Sequence, residues 1–506
     1  MSVLLRRWLP LLLLTLVACW LRTHNLARRP MHADEANQAV KTGELLETGR
    51  YVFDPRDHHG PTLYYAALPL AWVRGESTLA ELSETTVRLV PAIAGTLSVV
   101  LLYALVNSFA GSSRAAARPA GTSQRASTVA LVAAAFLAVC PPAVYYSRYF
   151  VQETLLATFS LAAFFCARRW QLAGRLSWSI ATGAAVGLML ATKASAPLFL
   201  VAAALALFVT RPRANAPPSS STGQKRLVPL LAAALAGITV AAVFYSSFGS
   251  HIAGLRDALG AYTQGGERAV GATGHEKPFG YYAALFGWQK SGGLVFHQTG
   301  FTLLALVGGA VAVRPWNSQP EQQRFVRASL VYLAIVALTL SLVPYKTPWH
   351  VVHLLPAVAV LAAFALEALR PVGLAAAAAT AVLFLQASQT RLVAFQRPAD
   401  ARNPYAYVHS APDVLKVRAL TEAARLQFPT APVRVIGDEY WPLPWYLRGL
   451  PQVGYWTSPP KECDGALVIV SEPHADEVRA RLRGRYRESL IGLRPGVLCV
   501  VFTAVR

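Results

Sequence analysis

Apolar residues run in long blocks along this chain, and polar residues gather in the stretches between them. Blocks near the 20 or so residues that a bilayer-crossing helix needs predict membrane spans. They fall near 4–21, 88–107, 128–146, 150–167, 177–192, 196–210, 228–248, 294–313, 328–344, 351–367 and 371–389, about eleven in all. The blocks at 177–192 and 196–210 are short and divided by Lys193, so a re-entrant pair stays open there.

Three polar stretches are long enough to fold: 22–87, 249–293 and everything after about 390. In the first, Ala33 to Thr48 reads as a helix ended by Gly49. Asp34, Gln38 and Lys41 share one face and Val40 and Leu45 contribute to the other, the pattern of an interfacial helix. A Pro/Gly-bounded turn carrying Asp54, Asp57, His58 and His59 follows, then an apolar segment over 62–72. In the last stretch, Asp413 to Phe428 has helical spacing, and His474 to Arg485 reads as a charged helix. Val433–Gly437, Ala466–Val470 and Val497–Phe502 read as buried strands. The pattern predicts a polytopic α-helical membrane domain over 1–390, with a large first outer loop, and a small C-terminal α/β domain over 391–506. Gly111–Ser127 and Arg211–Arg226 read as plain linkers.

Composition agrees. Hydrophobic residues make up 54% and charged residues 14%, against about 25% charged in a soluble globule. The net charge of +21 would suggest nucleic acid in a soluble protein. Here the basic residues cluster between spans, without a basic face interleaved with stacking aromatics, which excludes that class. They report orientation instead. With the N-terminus cytoplasmic, the inner loops collect Arg114, Arg118, Arg125, Arg168, Arg169, Arg175, Arg211, Arg213, Lys225, Arg226, Arg314, Arg324, Arg327 and Arg370. The short outer loops hold one cation each, Arg148, Lys193 and Lys346. The chain is then expected in the inner (plasma) membrane, with all three long polar stretches outside. Arg6-Arg7 before the first apolar block, with no small-residue cleavage site before His24, reads as an uncleaved signal anchor. Cys19, Cys140 and Cys166 fall within spans as packing residues, whereas Cys463 and Cys499 could pair as a disulfide in an exported domain. No His/Cys spacing of a structural zinc site occurs.

Acids are scarce, 26 against 47 Lys and Arg, so the adjacent Asp34 and Glu35 beyond the first span stand out. A carboxylate there could deprotonate a hydroxyl acceptor; it could equally complement the dipole of a helix N-terminus. His32 with Asp34, and His58–His59, also have the donor types for a divalent ion, which leaves metal binding open. At the third-to-fourth span junction, Arg148 and Glu153 offer either a local ion pair or a substrate contact. Lys346, Thr347 and His350 around Pro348, with His353, suit a phosphate at the membrane surface; a snorkelling anchor is the alternative. The stretch 249–293, with Tyr262, Glu267, Arg268, His275, Glu276, Lys277, Tyr281 and Tyr282, either caps a site or is solvated. The chain has no Walker lysine motif, Gly-x-Ser-x-Gly elbow or dinucleotide fingerprint, which argues against ATP-driven transport and serine hydrolysis.

The Asp-Glu pair, the Arg-then-acid junction and about eleven spans resemble integral-membrane glycosyltransferases of the C-type fold. That group includes the dolichyl-phosphate-mannose protein mannosyltransferases and the aminoarabinose lipid A transferases. Residues 31–37 (MHADEAN), 59–65 (HGPTLYY), 345–349 (YKTPW), 403–409 (NPYAYVH) and 438–448 (DEYWPLPWYLR) are similar to a prokaryotic subgroup labelled flippase-activity-associated membrane proteins. The wider resemblance implies inverting transfer of a sugar from a polyprenyl-phosphate carrier to a lipid, glycan or protein acceptor on the outer face. It implies Asp34 as catalytic acid with Glu35 beside it, and Glu153 as the second acidic position. Arg148 and Lys346 would hold the carrier phosphate, with His350, His58 and His59 in the same binding set. Trp441, Trp445 and Tyr446 would stack on sugars or serve as a packing plug. The subgroup label implies a competing reading, a non-enzymatic partner or translocase in glycan export. A translocase needs charge deep within spans, and Glu153 and Glu367 both lie near span ends. A secondary transporter would need inverted repeats, and none is visible.

Overall fold

The computed structural model describes residues 3–56, 59–110, 122–211, 220–271, 274–314 and 320–506. His58 and most of the two linkers lie outside the described residues. The helices are α1 (Val3–Thr23), α2 (Ala33–Thr48), α3 (Thr62–Val73), α4 (Glu84–Ala110), α5 (Thr122–Val139) and α6 (Pro141–Tyr146). Next come α7 (Glu153–Ala173), α8 (Leu176–Leu190), α9 (Ala196–Val209), α10 (Ser220–Tyr245), α11 (Gly254–Val270) and α12 (Tyr281–Phe286). A hairpin, β1 (Trp288–Ser291) and β2 (Leu294–His297), precedes α13 (Thr299–Val313), α14 (Pro320–Leu342), α15 (Leu355–Ala368) and α16 (Val372–Thr390). The C-terminal elements are α17 (Val417–Gln427), β3 (Val433–Ile436), α18 (Leu443–Tyr446), β4 (Val453–Trp456), β5 (Leu467–Ser471), α19 (Ala475–Arg481), β6 (Tyr486–Arg494) and β7 (Val497–Ala504).

Every predicted span holds a helix. Among the described residues, five helices are long and apolar enough to cross a membrane, over Trp8–Arg28, Glu84–Phe109, Leu227–Tyr245, Pro320–Leu342 and Val372–Gln396. Several others are shorter than expected, for local reasons. The block at 128–146 breaks at Cys140, which is extended, because Pro141 and Pro142 lack the N–H groups that would continue α5. The block at 294–313 begins as strand β2 and turns helical only at Thr299. Residues Pro348–His353 form a tight 3-10 turn before α15.

Two compact units form. The larger comprises Met1–His24, Arg50–Leu63 and Arg88–Gln396. Its core is α15, buried at every position from Ala357 to Leu366. A helix that is apolar all round is stable only when surrounded, and here α5, α13 and α14 surround it. Helix α8 packs on α7 and α10, whereas α9 packs on α14, so the two short helices serve different neighbours. Gly183 permits the α8–α10 approach: a Cβ there would stand 2.0 Å from the Ala233 carbonyl oxygen.

The second unit comprises Asn25–Gly49, Tyr64–Val87 and Arg397–Arg506. Its five-stranded sheet has the order β4-β3-β5-β7-β6, with β3 parallel to both neighbours and β7 antiparallel to both of its own. The three strands read from sequence are the three central ones, whose burial makes them continuous apolar runs. The edges β4 and β6 keep exposed residues and so lack a continuous apolar run. The expected disulfide is not made: Cys463 and Cys499 are both free and buried. Cys463 packs with Val500 and Phe502, and alternation along β7 turns Cys499 to the opposite face of the sheet.

Candidate functional site

Each unit carries a cluster of charged and titratable side chains drawn from the motifs above. In the second unit the cluster is built on the start of α2. His32 is its N-cap: the imidazole Nδ1 accepts the Asp34 N–H at 3.0 Å, and the Glu35 carboxylate accepts the His32 N–H at 3.2 Å. This is a capping box with histidine in the place usually held by serine or threonine. Because Nδ1 accepts, Nε2 carries the proton and donates to the Tyr407 carbonyl at 3.0 Å. Glu35 is fully buried and also accepts from Arg29 at 3.0 Å. The His409 ring meets that of His32 edge-on, 5.7 Å between centroids. The Met31 N–H donates to the Tyr446 hydroxyl at 2.8 Å, and Tyr64 donates to Gln38. Three of the similar motifs, from residues 31–37, 403–409 and 438–448, thus meet in one place.

The two acids separate completely. Glu35 is committed to the frame. Asp34 leaves 49% of its side chain exposed, and the His32 Nδ1 stands 3.9 Å away.

Burial lowers the His32 pKa, and burial together with the Arg29 cation lowers that of His409 well below the histidine range. Unfolding releases both into water, where they take protons near pH 6.5. The unfolded state then binds more protons, so stability rises with pH in this window. The contribution is complete above the unfolded pKa and is lost as pH falls toward the depressed folded values. Thermal unfolding followed from pH 7.5 to 5 should show a falling midpoint, and His409→Gln should flatten that slope.

Of the three aromatics expected to stack on sugars or to serve as a packing plug, two are buried. Trp445 is fully buried, donates to Glu84 at 2.7 Å and packs under the Arg448 guanidinium, 3.8 Å from its centroid. Tyr446 is buried with its hydroxyl on Met31. Neither ring has a face open to a sugar; Trp441 is only half-buried.

The cluster of the larger unit centres on Glu153, 1% exposed at the first turn of α7. Lys193 donates to it, and His350 Nε2 lies 3.8 Å away. The expected alternative partner, Arg148, does not reach it: one of its nitrogens donates to the Leu21 and Arg22 carbonyls at 3.1 and 3.3 Å. Arg148 therefore seats the C-terminal end of α1, where exposed carbonyls favour a cation. Lys193 occupies the turn between α8 and α9, and the HGPT motif clamps that turn. Gly60 N–H donates to the Thr192 carbonyl at 3.1 Å, and the Thr62 and Thr192 hydroxyls are 2.8 Å apart. Only glycine fits at position 60, since a Cβ would stand 2.2 Å from the Ala191 carbonyl oxygen.

His350 Nδ1 lies 3.2 Å from the Tyr282 hydroxyl and 3.3 Å from that of Thr347. Burial, then the Lys193 cation, push its imidazole well below the usual range. Lys346 donates to the carbonyls of Lys277 and Val343, pinning its loop to the 274–278 segment. His59 lends its carbonyl to the Tyr51 hydroxyl at 3.2 Å. The sequence places Lys193 on the outer side without assigning it to the site, and it leaves Tyr282 in a stretch that either caps a site or is solvated. No signal in the sequence ties either to Glu153. Among the described residues no group of three or more His, Cys, Asp or Glu is placed to hold a metal ion.

Lys193→Met should leave a buried carboxylate without its cation, a loss of about 3–5 kcal/mol. Thermal unfolding checks it, and adding Glu153→Gln should recover much of the loss. A single variant as stable as the parent would show that the pair is not buried together.

Residues 122–245 match the model of the dolichyl-phosphate-mannose-protein mannosyltransferase family. No curated protein matches the chain. The fold is that of the C-type glycosyltransferases. The chain superposes on apo ArnT from Cupriavidus metallidurans with a TM-score of 0.65 at 13% identity, covering 97% of both chains. The same protein bound to undecaprenyl phosphate gives 0.59 at 15% identity, again covering 97% of both. Arabinofuranosyltransferase AftD from Mycobacteria gives 0.52 at 12% identity, covering 100% of this chain and 40% of that one.

Proposed function

We propose that this chain is a multi-pass membrane glycosyltransferase. It transfers a sugar from a polyprenyl-phosphate carrier to a lipid, glycan or protein acceptor on the extracytoplasmic face, with inversion and with Asp34 as base. The observation that carries the reading is the division between the two adjacent acids. A buried cap, an ion pair and a histidine hydrogen bond hold the start of α2, and all of that framework serves to present one exposed carboxylate. The likeness to a protein solved with undecaprenyl phosphate supports the carrier class.

Asp34 takes the proton of the acceptor hydroxyl as its oxygen attacks the anomeric carbon. The bond from that carbon to the carrier phosphate breaks, and the phosphate leaves with the electron pair. Fixed cations stabilise that developing charge. We assign the task to Lys193, with Arg148 and Lys346. Of the three, Lys193 ends on a carboxylate and the others on backbone carbonyls. Glu153 holds Lys193, His350 stands beside Glu153, and we assign His58 and His59 to the same carrier-binding set. The orientation follows the arginine asymmetry, with the N-terminus cytoplasmic and the C-terminal segment outside.

Membranes containing the full chain, given radiolabelled polyprenyl-phosphate sugars, should pass label into a lipid, glycan or protein fraction. Absence of transfer from every donor, with folded protein present, would instead favour a non-enzymatic role in glycan export.

A further inference from the structure

The larger unit contains a cavity of about 750 Å³ between α4, α7, α9, α14 and α15. That volume lies within the range of about 300–1,000 Å³ typical of small-ligand sites. Its wall is apolar, with Leu102, Leu105, Leu161, Phe164, Ala203 and Ala357 among the lining residues. Two further lining residues, Leu172 and Leu207, are 45% and 50% exposed, so the cavity opens sideways through an apolar flank. On a spanning helix such a flank faces lipid chains and not water.

One end is cationic. Arg168, 7% exposed, lies over the Phe109 ring and donates to Glu321 at 2.6 Å, while its Nε is buried without a partner. Arg324, one turn along α14 from Glu321, lines the same end, and its side chain makes no hydrogen bond or ion pair among the described residues. The competing acid is Glu321, whose side chain is 56% exposed at that end. Two guanidinium groups against one exposed carboxylate leave a net positive mouth on a chain-shaped apolar space. Both arginines adjoin loops that the charge asymmetry assigns to the cytoplasm.

We infer that this cavity binds an anionic glycerophospholipid of the cytoplasmic leaflet, its phosphate at Arg324 and Arg168 and an acyl chain along the apolar wall. Guanidinium–phosphate bonds supply the headgroup selectivity, and burial of methylene groups supplies the chain requirement. A free anion would gain nothing from the wall, and a zwitterionic lipid gains less from the cationic mouth because its own ammonium offsets the phosphate. The site is independent of the transfer reaction proposed above.

The test is native mass spectrometry of the delipidated full chain titrated with dioleoyl phosphatidylglycerol and with dioleoyl phosphatidylcholine. Phosphatidylglycerol should bind the more tightly. Arg324→Ala should weaken it about tenfold, and Ala203→Phe, which fills the cavity, should abolish it. Glu321→Gln should strengthen it, an outcome that loss of a structural ion pair would not produce. Thermal unfolding of the lipid-free Arg324→Ala protein should match the parent, showing that the site and not the fold was lost. Equal binding of the two lipids, undiminished binding by Arg324→Ala, or equal competition by inorganic phosphate would overturn the inference. Arg324-dependent displacement by equimolar polyprenyl phosphate would assign the cavity to the carrier and overturn it too.

Discussion

Asp34→Asn is expected to reduce transfer from the polyprenyl-phosphate donor by about 10²–10⁴-fold, the usual contribution of a positioned base. The protein itself should stay folded and inserted. Asparagine matches aspartate in shape, and the Asp34 main chain, not its side chain, engages the cap: the Asp34 N–H donates to His32, while the carboxylate stands 3.9 Å from the nearest imidazole nitrogen. No buried partner is orphaned by removing the charge. The assay therefore reads chemistry without a confounding loss of structure, and the thermal midpoint measured alongside should move by less than about 0.5 kcal/mol equivalent, as for an exposed site. Wild-type product levels in this variant would end the assignment of Asp34 as base.

Glu35→Ala, one residue away, should do the reverse. It removes both the acceptor of the His32 N–H and the partner of a buried arginine. Arg29 is 7% exposed, so little water reaches its charge once the carboxylate is gone. Breaking such a pair costs about 3–5 kcal/mol, and losing the cap adds about 1. The expected result is a large drop in the unfolding midpoint and early proteolysis of the Asn25–Gly49 region. Glu35→Gln keeps a hydrogen-bond acceptor and should fall between. Pairing Glu35→Ala with Arg29→Met should restore part of the loss, because the orphaned charge goes too. A Glu35→Ala protein as stable as the parent would mean that the pair is not buried in solution. The contrast between neighbours is the useful measurement: activity without stability at 34, stability first at 35.

Much of the fold is legible in the pattern of residues. The spans are visible because a bilayer demands long apolar runs, and α2 runs from Ala33 to Thr48 with Gly49 at its C-cap as its pattern predicts. The three central strands are visible because burial on both faces makes them uniformly apolar. The edges β4 and β6 are not, since a strand with one neighbour tolerates exposed and charged residues such as Arg487 and Glu488. Helix ends depart from the apolar blocks where a proline or a hairpin interrupts one, as at Pro141 and at β2, because hydropathy does not register a missing N–H or a turn.

The site was legible in its residue types and illegible in its partnerships. Sequence alone determined that Asp34 and Glu35 begin a helix, that Glu153 lies near the start of another, and that Lys193 and Lys346 sit in short loops; each follows from neighbours within a few residues. Tertiary structure alone decided which acid is spent on the frame and which is left to react. It decided that Lys193 and not Arg148 meets Glu153, and that Trp445 is core. Those outcomes rest on contacts such as Met31 to Tyr446, 415 residues apart, and Lys193 to Glu153, 40 apart. Burial, which makes an ion pair obligatory and a ring inaccessible, is a property of everything packed around a side chain, and no local window of sequence contains it.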